Sequence, residues 1–144
     1  RRQSLNNVAC LVLDAAEQLP FNAAFDRVLV DAPCSGTGTL RRNPEIRWRI
    51  SPADITDLRE RQMRLLLNSA SVVKPGGRLV YSTCSVEKEE NEDVRQAFLE
   101  NRSDFKPAEL AIESSLITGE GMARTWPQLH GTDGFFITAF ERRA

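Results

Sequence analysis

Arg27-Val28-Leu29-Val30-Asp31-Ala32-Pro33-Cys34-Ser35-Gly36-Thr37-Gly38 is the stretch on which the fold turns. A short apolar run ends at Asp31, and Pro33, Gly36 and Gly38 impose a loop directly after it. A second stretch is built the same way. Leu79-Val80-Tyr81 follows Pro75-Gly76-Gly77 and runs into Ser82-Thr83-Cys84-Ser85. A third run, Val8-Ala9-Cys10-Leu11-Val12-Leu13, ends at Asp14. Apolar runs of this length without polar alternation predict strands buried on both faces, as in parallel sheets. On that reading Cys10 lies in the core, and Asp14, Asp31, Cys34 and Cys84 all stand at strand ends.

Between the second and third of these strands the pattern changes to helical. Ser51 is an N-cap, Pro52 suits the first helical position, and Asp54 favours the positive end of the helix. Ile55, Leu58, Leu65, Leu66 and Val73 form one apolar face, and Pro75-Gly76-Gly77 ends the helix. A further helix is expected over residues 87–101, with an acidic first turn and with Val94, Ala97, Phe98 and Leu99 as its packing side. Residues 102–121 carry no clear pattern. Gly134-Phe135-Phe136-Ile137-Thr138-Ala139-Phe140 reads as a last strand, paired with residues 122–126 across the turn that holds His130. Strand, helix, strand, helix and a closing antiparallel hairpin make an α/β fold. In open parallel sheets ligands bind beyond the carboxyl ends of the strands. The expected site therefore carries two carboxylates and two thiols on one edge.

Composition narrows the function. A chain of 144 residues fits one domain with a real core. Its 19 basic and 20 acidic residues give no overall pull toward nucleic acid. No apolar run is long enough to span a membrane as a helix. The chain opens Arg1-Arg2-Gln3-Ser4, without an initiator Met or an apolar signal region, and reads as part of a longer protein. Three cysteines without framework spacing suit a reducing, cytoplasmic setting, and a single His with scattered cysteines makes no zinc site.

The chemistry-bearing residues each allow two readings. Cys84 is either an inert buried thiol or a nucleophile, which must be a thiolate. A following helix N-terminus would lower its pKa, and Glu87, Glu89 and Glu90 would raise it. Cys34 sits in a glycine loop that either only turns the chain or lets backbone approach a ligand closely. Asp31 suits a ligand ammonium and Asp14 an adenine or ribose edge, although strand-end aspartates also cap helices. Arg41, Arg42, Arg47 and Arg49 surround Trp48. They read as a solvated loop or as phosphate contacts beside a base-stacking aromatic. The acidic run from Glu87 to Asp93 reads as a solvated helix start, and His130 as structural.

Taken together, the two cysteine segments resemble the paired motifs of the RNA cytosine-5 methyltransferases of the Nop2/Sun group, most nearly the bacterial Sun-type enzymes of small-subunit rRNA. Asp14-Ala15, Phe25-Asp26-Arg27-Val28, Arg42-Asn43-Pro44-Glu45 with Trp48, Lys74-Pro75-Gly76-Gly77, Glu89-Glu90-Asn91 and Asp133-Gly134-Phe135-Phe136 extend the likeness over nearly the whole chain. The resemblance implies a Rossmann-like class I methyltransferase sheet, S-adenosylmethionine as cofactor and RNA, specifically rRNA, as partner. It implies that Cys84 attacks cytosine and that Cys34 assists release. It assigns Asp31 to the methionine part of the cofactor and to orienting the base, Asp14 to the adenine side and Pro33 to cofactor binding, while Arg41, Arg42, Arg47 and Trp48 are the expected RNA contacts.

One family feature has no counterpart here. The eight glycines lie at 36, 38, 76, 77, 119, 121, 131 and 134, so no glycine-rich cofactor loop precedes Asp14. The resemblance places that loop and two strands before Asp14 in the chain, with the two strands lying between the Asp14 strand and the Asp31 strand in the sheet. Residues 1–144 are thus expected to be the carboxyl-terminal portion of a methyltransferase domain, with open strand edges and little cofactor binding or activity of their own. Three other readings remain open. They are a methyltransferase of another base position, a non-catalytic RNA-binding module using residues 41–49, and a thiol redox pair.

Overall fold

The computed structural model describes residues 7–21 and 25–144. The opening Arg1-Arg2-Gln3-Ser4 lies outside the described residues. Strand β1 (Phe25–Asp31) pairs in parallel with β2 (Val73–Thr83), aligning Asp31 with Ser82. The crossover between them carries a short helix α1 (Ile46–Arg49) and the long helix α2 (Pro52–Ser71). Helix α2 starts as the sequence predicts. Ser51 and Asp54 form a reciprocal capping box, with Pro52 at the first position.

Helix α3 (Glu92–Asn101) leads to β3 (Phe105–Pro107), β4 (Ile117–Gly119) and β5 (Met122–Thr125). A one-turn helix α4 (Pro127–His130) precedes β6 (Phe135–Arg142). Strand β6 runs antiparallel between β2 and β5, giving the order β1-β2-β6-β5-β4, and β3 joins the far end of β6. The mixed α/β class and the closing hairpin thus agree with the sequence.

The core lies between the sheet and helices α2 and α3. Leu65, Leu66 and Ala70 from α2 and Val94 and Phe98 from α3 meet Leu79 and Tyr81 of β2 and Phe136 and Phe140 of β6. The Phe98 ring packs 4.6 Å from Phe140 and 5.3 Å from Phe105, centroid to centroid. These offset and edge-on contacts are the favourable aromatic geometries.

Four expectations are corrected. Residues 8–13 form no strand. Val8, Leu11 and Val12 are exposed, and so is Cys10, which is not a core residue. An apolar run becomes a strand only where a neighbour takes its hydrogen bonds, and among the described residues none does so here. Strand β1 is not buried on both faces, because Val30 turns to the core while Leu29 stays 66% exposed. Among the described residues its outer edge has no partner. Val73 opens β2 and does not belong to α2. The strand runs through Pro75-Gly76-Gly77 with a register shift, and Gly76 takes a φ of 73°. Finally, α3 begins at Glu92, five residues later than expected, because the segment before it turns inward.

Phe98→Ala removes the ring around which three elements pack. It is expected to lower stability by about 3–5 kcal/mol, read as a lower urea midpoint.

Candidate active site

Because β1 and β2 are parallel neighbours in matched register, their carboxyl ends open side by side. The loop after β1 docks on the segment after β2 by backbone bonds. Ala32 N–H donates to the Ser82 carbonyl at 3.0 Å, and Gly38 N–H to the Cys84 carbonyl at 2.9 Å. Gly134 N–H donates in turn to the Gly38 carbonyl at 2.8 Å, which brings in the start of β6. A Cβ at Gly38 would run into the Gly134 carbonyl and stand 2.8 Å from that of Cys84. Glycine is required at 38 for close approach, whereas Gly36 supplies a left-handed turn at φ 74°.

This docking sets the Cys34 and Cys84 sulfurs 3.2 Å apart, within hydrogen-bonding distance. Both thiols are free and half-buried. Two thiols this close titrate unequally, since one proton is shared between them. The hydrogen bond from Cys34 and the Cys84 backbone N–H draw Cys84 down to about 7, against burial and the nearby Asp31 and Glu90 charges. Cys34 is driven up, first by that same hydrogen bond and then by burial and the Cys84 charge. Cys84 is therefore the more acidic thiol of the pair and Cys34 the one that holds its proton more tightly. Helix α3 starts too far along the chain to explain this, so the activating group is Cys34 and not a helix end. Of the three glutamates expected to oppose ionisation, Glu90 is the one that acts, together with Asp31.

Asp31 lies exposed at the end of β1, beside the thiols. Its Oδ1 accepts from the Ser82 hydroxyl at 2.9 Å, and its second oxygen has no donor among the described residues. That corner fits a cationic ligand group, and Pro33 is exposed next to it. Asp14 is placed differently. It sits in a turn, accepting from Ala16 N–H at 2.9 Å, and Asn68 of α2 donates to the carbonyls of Ala15 and Glu17. The structure does not put Asp14 at a strand end, as the sequence had suggested, but in a turn held against α2.

The family model described as "16S rRNA methyltransferase RsmB/F" matches residues 1–141. The chain belongs to that family. Probable ribosomal RNA small subunit methyltransferase B of Bacillus subtilis is 41% identical over 128 residues, which are 85% of this chain and 28% of that protein. Ribosomal RNA small subunit methyltransferase F of Aliivibrio fischeri is 34% identical over 125 residues, 83% of this chain and 26% of that protein. Among solved structures, NSun6 from Pyrococcus horikoshii, crystallised with SFG, superposes with a TM-score of 0.83 at 27% identity. That match covers 99% of this chain and 36% of NSun6. The chain spans about a quarter of the length of the curated relatives it matches.

In this RsmB/F-family chain the expected RNA contacts fall in two groups. Arg42 and Arg41 reach across to Asp133 before β6, and Arg41 also donates to the Gly131 carbonyl at 3.2 Å. Arg42 holds the Asp133 carboxyl below the usual range. Both guanidinium groups remain open to solvent. Arg47 and Trp48 lie on α1, where Trp48 is 83% exposed. Arg49, at the end of α1, lines a cleft of about 510 Å³ with Cys34, Ile46, Asp57 and Arg61.

Two supporting residues were not legible as such. Glu90, expected in a solvated helix start, is fully buried beneath the cysteine loops, and Asn91 beside it joins Thr83 to the Ser85 carbonyl. Arg124 of β5 is nearly buried. It donates to the Val86 carbonyl and to both oxygens of Glu92, fixing the chain just after Cys84. The one available signal was Glu89-Glu90-Asn91 recurring in the family pattern; no periodicity marks Glu90 as inward.

Cys84 is a thiol below a pH of about 7 and a thiolate above it. Its alkylation by iodoacetamide is therefore expected to rise with pH through a midpoint near 7. Cys34→Ala, which removes the donor, moves that midpoint upward. Peptide-level mass spectrometry separates Cys84 from the exposed Cys10.

Proposed function

We propose that this chain carries the catalytic-thiol wall of an S-adenosylmethionine-dependent RNA cytosine-C5 methyltransferase, acting on small-subunit rRNA in the cytoplasm. The observation that carries this reading is the sulfur pair 3.2 Å apart at the carboxyl edge, with Cys84 the acidic member. Family membership and the rRNA small-subunit methyltransferases among its relatives support the reaction class and substrate.

C5 of cytosine is a weak nucleophile. The Cys84 thiolate adds to C6, and the displaced ring electrons make C5 enamine-like and able to take a methyl group. S-adenosylmethionine, when bound, supplies that methyl as a cation equivalent. Cys34, after giving up its own S–H proton to solvent, takes the C5 proton; the C5–H electron pair restores the C5–C6 double bond as the C6–sulfur bond breaks, and Cys84 leaves as thiolate. Asp31 and Pro33 face the methionine part of the cofactor, and Asp14 serves its adenine side. Arg41, Arg42 and Arg47 contact RNA phosphates, and Trp48 offers an exposed face for stacking an unpaired base. The target base enters unstacked.

The 144 residues by themselves are proposed to be catalytically silent. Within these 144 residues no glycine lies before Asp14, and among the described residues the 8–13 run is unpaired and one edge of β1 is open. Calorimetric titration of this chain with S-adenosylmethionine is expected to show no micromolar binding, and such binding would refute the proposal.

The full-length protein is expected to form a covalent adduct with RNA containing 5-fluorocytosine. Cys84→Ala abolishes the adduct on denaturing gels. Cys34→Ala accumulates a stalled adduct on ordinary RNA. An adduct that persists without Cys84 assigns the nucleophile elsewhere.

A further inference from the structure

We infer that Glu90 is a positioning residue for this site: by binding the hydroxyls of Ser35 and Ser85, the residues that follow the two cysteines, it sets the separation of the Cys34 and Cys84 sulfurs. The inference rests on the reading of Cys84 as nucleophile and Cys34 as its partner.

The Glu90 side chain has no exposed surface. Its Oε2 accepts from the Ser35 hydroxyl and from the Ser85 hydroxyl, each at 2.5 Å. Its Oε1 accepts from Ser35 N–H at 2.9 Å and from Gln62 Nε2 of α2 at 2.8 Å. Gln62 also donates to the Pro33 carbonyl at 3.0 Å, next to Cys34. The Glu90 main-chain carbonyl accepts from the Tyr81 hydroxyl at 2.6 Å. Four donors from three separate segments thus converge on one carboxyl group.

No basic side chain pairs with it among the described residues, so hydrogen bonds alone compensate its burial. An apolar residue of the same volume would fill the space without that demand. What an apolar residue does not supply is an atom that bonds both serines at once; Glu90 Oε2 does so, with their hydroxyls 3.1 Å from each other. Because each serine is the next residue after a cysteine, this junction fixes both thiol-bearing backbones.

The charge of Glu90 and its geometry act on Cys84 in opposite directions. As a nearby negative charge it opposes thiolate formation; as a staple it holds the Cys34 S–H where it favours thiolate formation. The charged and titratable groups facing Cys84 are Cys34 and Asp31 from the β1 side and Glu90 from the turn before α3. This opposition makes the role separable from simple stabilisation.

The test uses the full-length protein and follows the pH midpoint of Cys84 alkylation, thermal melting and the kcat-against-KM split. Ser35→Ala/Ser85→Ala leaves Glu90 its two N–H donors but cuts the staple. It is expected to raise the midpoint toward the ordinary thiol value of about 8.5 and to lower kcat on the order of 10²-fold with little change in KM. Glu90→Gln keeps the volume and turns its amide N–H₂ toward the two hydroxyls. It is expected to retain the fold and move the midpoint below that of wild type. A folded double-serine variant with the wild-type midpoint and kcat overturns the inference, as does a melting loss without any midpoint shift in either variant. The alkylation midpoint needs neither RNA nor methyl donor, so it tests Glu90 independently of the 5-fluorocytosine adduct, which tests the reaction.

Discussion

The parallel pairing of β1 with β2 is the constraint from which the rest of this structure follows. Two parallel neighbours need a crossover, and α2 supplies it while covering one face of the sheet. Their register places Asp31 opposite Ser82, so the two loops begin at the same level of the same edge. Gly38 then lets the first loop lie directly on the Cys84 backbone. Two cysteines 50 residues apart in the chain become hydrogen-bonding neighbours by this route.

Once the thiols meet, their chemistry is set locally. Among the described residues, the largest influence that lowers Cys84 is the hydrogen bond from Cys34, with its own backbone N–H second. The arrangement is sensitive to distance, because the hydrogen bond is its largest contribution and burial works against it. That explains the weight of polar structure packed beneath two small loops, where Ser35, Gln62, Thr83, Ser85, Glu90 and Asn91 are all buried and mutually bonded. Arg124 adds a further anchor from the hairpin side, stacking over Trp126 and Phe136 while it holds Val86 and Glu92.

The legible parts of the fold were those with strong local punctuation. The apolar run before Asp31, the Ser51-Pro52-Ala53-Asp54 helix start and the phenylalanine-rich last strand each combine a pattern with a boundary residue, and each appears as expected. Residues 8–13 show the limit of that reasoning. Their apolar character matches a strand, yet among the described residues no neighbour takes their backbone hydrogen bonds, and Cys10 ends exposed. The segment 87–91 shows the opposite failure. A run of acidic residues reads as solvent-facing, but the donors waiting beneath the cysteine loops draw Glu90 inside.

The sequence by itself determined the α/β class, the two cysteine loops at strand ends and the family likeness, because these rest on short-range patterns of apolar runs, glycines and caps. Tertiary structure alone decided that the two thiols meet, which acidic residue is buried, and that Asp14 lies in a turn and not at a strand end. Those properties depend on distances between segments tens of residues apart, and a pattern along the chain carries no such distance.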